Sequence, residues 1–216
     1  MVNQIVYCTG RKGTGKTSYA HAVARQAYFD RRRVVAVAPV GGISLPGAPV
    51  IRSADPSRFA RLRGRSCLVI PDSDPAACAA FAFAWHVQKD NPSPLLLIVD
   101  EIALYLGSHQ PNPVLMDIIR YGRHRRLSLV TTSQRPASVH KDLIGQADDK
   151  VLFAQSEPND CAYLRKYTGV SEADLRSLPD LHFFRFSPDG SRRQGFIQYR
   201  RRGVPEIFLD RADPPA

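Results

Sequence analysis

The stretch Gly10-Arg11-Lys12-Gly13-Thr14-Gly15-Lys16-Thr17 constrains this chain more than any other. It fits the pattern G-x-x-x-x-G-K-[ST] in full, and it stands between an apolar run of strand length, Gln4–Thr9, and a helical stretch from about Gly15 to Asp30. Glycines let a backbone curl into a concavity of successive N–H donors that side chains would block. The helix that follows adds the partial positive charge of its N-terminus. Such a loop is a phosphate cradle, formed here by Gly10, Arg11, Lys12, Gly13, Thr14, Gly15, Lys16 and Thr17 with Ser18 behind them. Lys16 is expected to reach the β- and γ-phosphates of ATP, and the Thr17 hydroxyl to ligate Mg²⁺.

The remaining chain alternates strand and helix. Val34–Ala38, Cys67–Ile70, Leu95–Val99, Leu127–Thr132 and Lys150–Ala154 read as strands, and a short extended piece falls at Val50–Ile51. Their continuous apolar character suits strands covered on both faces. Helices are expected over Asp55–Leu62, with Asp55 or Ser53 as cap and Pro56 at its first position, and over Pro75–Lys89, Val114–Gly122, Asn159–Tyr167 and Ser171–Leu178. Strands His182–Phe186 and Gly195–Tyr199, with Pro188-Asp189-Gly190 turning between them, form an expected edge hairpin. The expectation is one α/β domain over residues 1–216: a core to 178 with a mostly parallel central sheet flanked by helices, a strand-rich extension over 179–212, and a frayed tail at 213–216.

Leu95–Val99 ends in Asp100-Glu101. At the C-terminal end of a parallel strand these carboxylates face the crevice that holds the phosphate loop. Asp100 is placed to serve the metal with Thr17, and Glu101 to polarise the water that attacks the γ-phosphate. The strand Cys67–Ile70 lies between Lys16 and Asp100 in sequence, leaving room for a strand inserted between the loop strand and the acidic strand. That order is found in ATPases with a catalytic glutamate. Gln134, at the end of the strand beginning at Leu127, is a candidate to touch the γ-phosphate or the attacking water.

There are 30 Lys+Arg against 20 Asp+Glu, a formal charge of +10, which favours polyanionic partners. Clusters at Arg31–Arg33 and Arg200–Arg202 suit phosphate contacts without sequence preference. Cys8, Cys67, Cys78 and Cys161 are scattered without metal or disulfide spacing, which points to buried thiols in a reducing compartment. The N-terminus enters a strand without a signal peptide, and the longest apolar stretch, Ala76–Val87, is too short to span a bilayer. No membrane span is therefore expected.

The arginines from Arg120 through Arg126, the strand ending in Gln134-Arg135-Pro136, and Glu157-Pro158-Asn159-Asp160 beyond it make the chain resemble the RecA-like P-loop NTPases of the FtsK–HerA superfamily over about residues 2–178. Its compact size resembles the genome-packaging ATPases of membrane-containing double-stranded DNA viruses. The resemblance implies a homo-oligomer, a hexameric ring with ATP at subunit interfaces. It implies an arginine donated in trans, Arg123 or Arg120 with Arg126 behind them. It also implies non-specific double-stranded DNA and a capsid or portal-vertex protein as partners, and a place in the cytoplasm of a host or in a virion. The expected function is ATP hydrolysis coupled to DNA translocation. The alternatives are a zonula occludens toxin-like phage morphogenesis ATPase, which typically continues into a membrane-spanning helix and a further domain, and a P-loop small-molecule kinase.

Overall fold

A computed structural model describes residues 4–62, 64–89, 91–200 and 203–210. The tail at 213–216, Arg201 and Arg202 lie outside the described residues.

The apolar runs become the centre of one ten-stranded sheet. In chain order its strands are β1 (Ile5–Thr9), β2 (Arg33–Val37), β3 (Val50–Ile51), β4 (Cys67–Val69), β5 (Leu95–Val99), β6 (Leu127–Ser133), β7 (Asp149–Phe153), β8 (His182–Phe186), β9 (Arg192–Arg200) and β10 (Val204–Leu209). They lie side by side as β10-β9-β8-β7-β1-β6-β5-β2-β4-β3, parallel from β7 to β3 and antiparallel from β7 to β10. The helices are α1 (Lys16–Phe29), α2 (Pro56–Ala60), α3 (Asp74–Val87), α4 (Pro113–Tyr121), α5 (Lys141–Gln146), α6 (Pro158–Thr168) and α7 (Glu172–Ser177).

Alternate side chains of each strand leave opposite faces. Val6, Cys8, Val34, Ala36, Ile98 and Val130 pack with α1 on one side, while Tyr7, Val35, Leu97 and Leu129 pack with α3 and α4 on the other. β1, β4, β5 and β6 are buried on both faces along their whole length, as their unbroken apolar runs implied. Local signals set the helix starts. Asp55 accepts from Ser57 N–H at 2.9 Å ahead of α2, Asn112 accepts from Leu115 N–H ahead of α4, and Ser171 accepts from Asp174 N–H ahead of α7.

The α/β class and mostly parallel sheet agree with the sequence. Three details differ. The strand between β1 and β5 is β6, the strand that ends before Gln134, whereas β4 lies beyond β2; order along the chain does not reveal which crossover spans which gap. The C-terminal hairpin is a three-stranded meander, because Val204–Leu209 pairs along β9 in full register and returns against α1. A short helix, α5, fills the link into β7.

Candidate active site

The phosphate loop leaves β1 at Gly10, whose φ of 155° and crowded surroundings exclude a side chain. A Cβ there would stand 2.7 Å from the Phe153 Cβ. Two backbone bonds brace the loop: Arg11 N–H to Ala154 C=O at 2.8 Å, and Leu181 N–H to Thr14 C=O at 2.9 Å. The first comes from the end of β7 and the second from the entry to the meander. Gly15 packs in the left-handed region against Phe153, Leu181 and Ile197, so the meander supports the cradle from behind. Lys16 is only 4% exposed, and its Nζ donates to Arg11 C=O at 2.8 Å. Burial lowers its pKa, opposed by the charges of Glu101 and Asp100.

Asp100 and Glu101 follow β5 directly, and the parallel register that pairs Val99 with Thr131 brings Asp100 beside Thr132. The Thr132 hydroxyl donates to Asp100 Oδ1 at 2.6 Å and accepts from Glu101 N–H at 2.9 Å. Asp100 also accepts from Thr17 Oγ1 at 3.1 and 3.2 Å. Glu101 sits at φ 53°, ψ 54°, a left-handed conformation that a non-glycine residue adopts only when its surroundings impose it. The Thr132 bond to its N–H is part of that imposition. Its Oε1 then accepts from Gln134 Nε2 at 2.8 Å. The loop carrying Gln134 is tied down in turn. Gln155 Nε2 donates to Gln134 C=O at 3.1 Å, and the wholly buried Asp160 accepts from Arg135 Nε at 2.8 Å and Ala137 N–H at 3.2 Å.

Lys16, Thr17, Asp100, Glu101 and Gln134 thus line one cleft of about 460 Å³, together with Lys12, Gly13, Gly15, Ser18, Val40, Gly41, Leu181 and Tyr199. Residues 10, 11 and 14 shape the loop behind it. The donor set fits a nucleotide-bound Mg²⁺. Asp100 is 2% exposed, its pKa is raised by burial, and the hydrogen bonds it accepts come from two neutral hydroxyls. A buried carboxylate so placed gains from a cation, and Mg²⁺ ordinarily takes one or two protein oxygens and completes its shell with phosphate and water.

The arginines are elsewhere. Arg120 ends α4 and is bound to Asp142 Oδ2 through Nη2 at 2.7 Å and Nε at 3.2 Å. Arg123 and Arg126 precede β6, at the amino-terminal end of the sheet. The seven residues of β6 separate that end from the cleft by roughly 20 Å at ~3.3 Å per residue. Neither Arg120 nor Arg123 can serve the phosphate loop of its own chain.

Several residues of the site carry no mark in the sequence. Thr132 is identified by register alone, Gln155 and Asp160 by the loop they hold, and Tyr199, whose hydroxyl meets Ser18 Oγ, by the return of β9 over the loop. Among the described residues no helix is long and apolar enough to cross a membrane.

A mostly parallel sheet, a glycine cradle and an acidic strand separated from the loop strand by one other strand define a P-loop ATPase. The chain belongs to the ATPase family associated with various cellular activities (AAA), whose model matches residues 6–155. It is 33% identical over 85 residues to the probable DNA double-strand break repair helicase HerA of Methanocaldococcus jannaschii, a match covering 38% of this chain and 17% of that protein. Its fold is similar to the genome-packaging NTPase B204 of Sulfolobus turreted icosahedral virus 2 in complex with AMPPCP, with a TM-score of 0.71 and 19% identity over 96% of this chain and 97% of that one. VirB4 of Thermoanaerobacter pseudethanolicus also has a TM-score of 0.71, at 13% identity over 91% and 90% of the two chains. The likeness to FtsK–HerA ATPases read from the sequence is borne out.

Proposed function

We propose that this chain hydrolyses ATP as one subunit of a ring that moves double-stranded DNA. The observation that carries the hydrolytic part is the contact between Glu101 and Gln134 above the phosphate loop. A carboxylate and an amide held 2.8 Å apart can share one water, the first drawing its proton and the second fixing its orientation. Lys16 turns from Arg11 C=O to the β- and γ-phosphates, and the loop N–H groups neutralise charge as it develops there. Mg²⁺ held by Thr17, with Asp100 behind it, supplies further neutralisation of phosphate charge when bound. The Asp100–Thr132–Glu101 chain keeps the base in place before ATP arrives.

DNA as the cargo is supported by the names of the HerA relative and the packaging NTPase, and by the net charge of +10. Packaging of viral DNA into a capsid is the finer reading, since the likeness to the packaging NTPase extends over nearly the whole chain. It carries with it a capsid or portal-vertex partner and a place in host cytoplasm or virion. A ring, hexameric in this reading, is supported by the distance of Arg120 and Arg123 from their own cleft, because an arginine at that end meets a nucleotide only across a subunit interface.

The test is the steady-state ATPase rate at increasing protein concentration, with and without duplex DNA, using Lys16→Ala as the control. The rate per subunit should rise with both variables and vanish in the control. Hydrolysis indifferent to concentration and DNA would refute the motor reading.

A further inference from the structure

The fold gathers arginines that the sequence keeps in separate stretches. Arg31–Arg33 stand at the turn between α1 and β2, and Arg52, Arg58, Arg61 and Arg65 surround β3 and α2. They line two adjoining hollows along the outer sheet edge, of about 850 and 470 Å³, which share Pro49 and Arg65. Among the described residues no carboxylate lines either hollow. Arg31, Arg52, Arg58, Arg61 and Arg65 are all exposed, and among the described residues none of the five forms an ion pair.

Arg25, Arg123, Arg125, Arg126, Arg165 and Arg193 likewise form no ion pair among the described residues, but seven arginines elsewhere do. Arg11, Arg120, Arg135, Arg176, Arg185, Arg192 and Arg200 each face an aspartate or glutamate. Near the trough the acid to note is Asp55, whose carboxylate is occupied by the Ser57 N–H and hydroxyl at the start of α2. Arg33 is a fixed part of the floor, its Nη2 bound to Gln88 Oε1 and Ser93 C=O. The Asp55 charge acts on Arg58 and Arg61, and the other like charges held close together repel one another, a repulsion that a polyanion relieves.

We propose that this trough is the surface that grips the DNA backbone. The inference rests on the DNA reading above and names the surface. From Pro49 to Ser53 the edge runs roughly 13 Å at ~3.3 Å per extended residue. A duplex carries about one phosphate per 3.4 Å of axis on each strand, so about four phosphates of one strand lie within that reach, which the five exposed arginines are enough to meet. The trough is shallow, and α2 has only five residues, too short to enter a groove as a reading helix. Contact is with phosphate, independent of sequence, as a translocating motor requires.

The experiment measures binding of a fluorescein-labelled 30-base-pair duplex by anisotropy from low to moderate salt. It compares the intact chain with Arg52→Gln/Arg58→Gln/Arg61→Gln and with Lys141→Gln/Arg165→Gln/Lys166→Gln, which removes the same charge from another face. Thermal melting and the DNA-free ATPase rate confirm that both variants are folded. The trough variant should bind at least tenfold more weakly, and its slope of log K against log salt should become shallower by about 2–3, since each phosphate that an arginine neutralises adds about 0.9 to that slope. The control should bind within about twofold of the intact chain. Equal binding by the trough variant, or equal weakening in the control, overturns this surface and leaves the DNA reading standing. An intact chain that binds no duplex even at low salt overturns the DNA reading itself.

Discussion

Thr132→Val tests the network behind the acidic pair. Valine keeps the shape of threonine on a buried strand and deletes one oxygen. That oxygen makes two bonds, one to the Asp100 carboxylate at 2.6 Å and one from Glu101 N–H at 2.9 Å. A bond to a charged group contributes about 1.5–3 kcal/mol and a neutral one about 0.5–1.5, so the loss should be about 2–4 kcal/mol. In a chain of this size that lowers Tm by about 5–15 °C at roughly 2–4 °C per kcal/mol. Activity should suffer more than stability explains. Freed from its N–H bond, Glu101 loses one restraint holding it at positive φ and drifts from Gln134, and kcat should fall about 100-fold, the scale expected for a misplaced base or a displacement of about 1 Å. Thr132→Ser restores the oxygen and should recover most of both. Urea titration gives the stability change from the midpoint at constant m, and single-turnover hydrolysis isolates the chemical step. If Thr132→Val stays within about 0.5 kcal/mol of the parent, as ordinary surface substitutions do, and turns over normally, the hydroxyl does not organise the site and the mechanism drawn from it is wrong.

Two further outcomes follow from the same geometry. Burial raises the Asp100 pKa above its ordinary 3.8, so the folded chain binds more protons than the unfolded one above that pH, and the group costs stability as pH rises through its raised value. Asp100→Asn removes this cost: thermal melts of the nucleotide-free protein should show a higher Tm at pH 7 and a smaller gain near pH 4, while hydrolysis is lost; a lower Tm at both would contradict the assignment. Tyr199 forms one wall of the cleft, so Tyr199→Ser should raise KM for ATP about two- to tenfold, as expected for ~0.5–1.5 kcal/mol of aromatic contact, with kcat nearly unchanged; an unaltered KM would remove the meander from nucleotide binding.

The phosphate loop and the Asp100-Glu101 pair were legible because the chemistry demands particular residues at short fixed spacing, next to an apolar strand that any reading would find. The helix caps at Asp55 and Ser171 were legible for the same reason, since a cap binds a backbone group two or three residues away. The boundaries of β3, β5 and β8 were also legible, being set by local runs of apolar and aromatic side chains. The strand order was not. Both β4 and β6 are short apolar runs flanked by helices, and only the packing of whole crossovers places β6 between β1 and β5. Thr132 became part of the site through that placement, as the pairing of Val99 with Thr131 carries the next residue of each strand into contact. Val204–Leu209, with its proline and glutamate, reads weakly as a strand and becomes one by pairing with β9. Tyr199 reaches Ser18 for the same reason. The arginines show the division most plainly: their number was evident in the sequence, but burial and pairing decide which face an acid. Local chemistry is written in neighbouring residues, whereas register, crossover and charge segregation depend on contacts between residues far apart in the chain, and those exist only once it has folded.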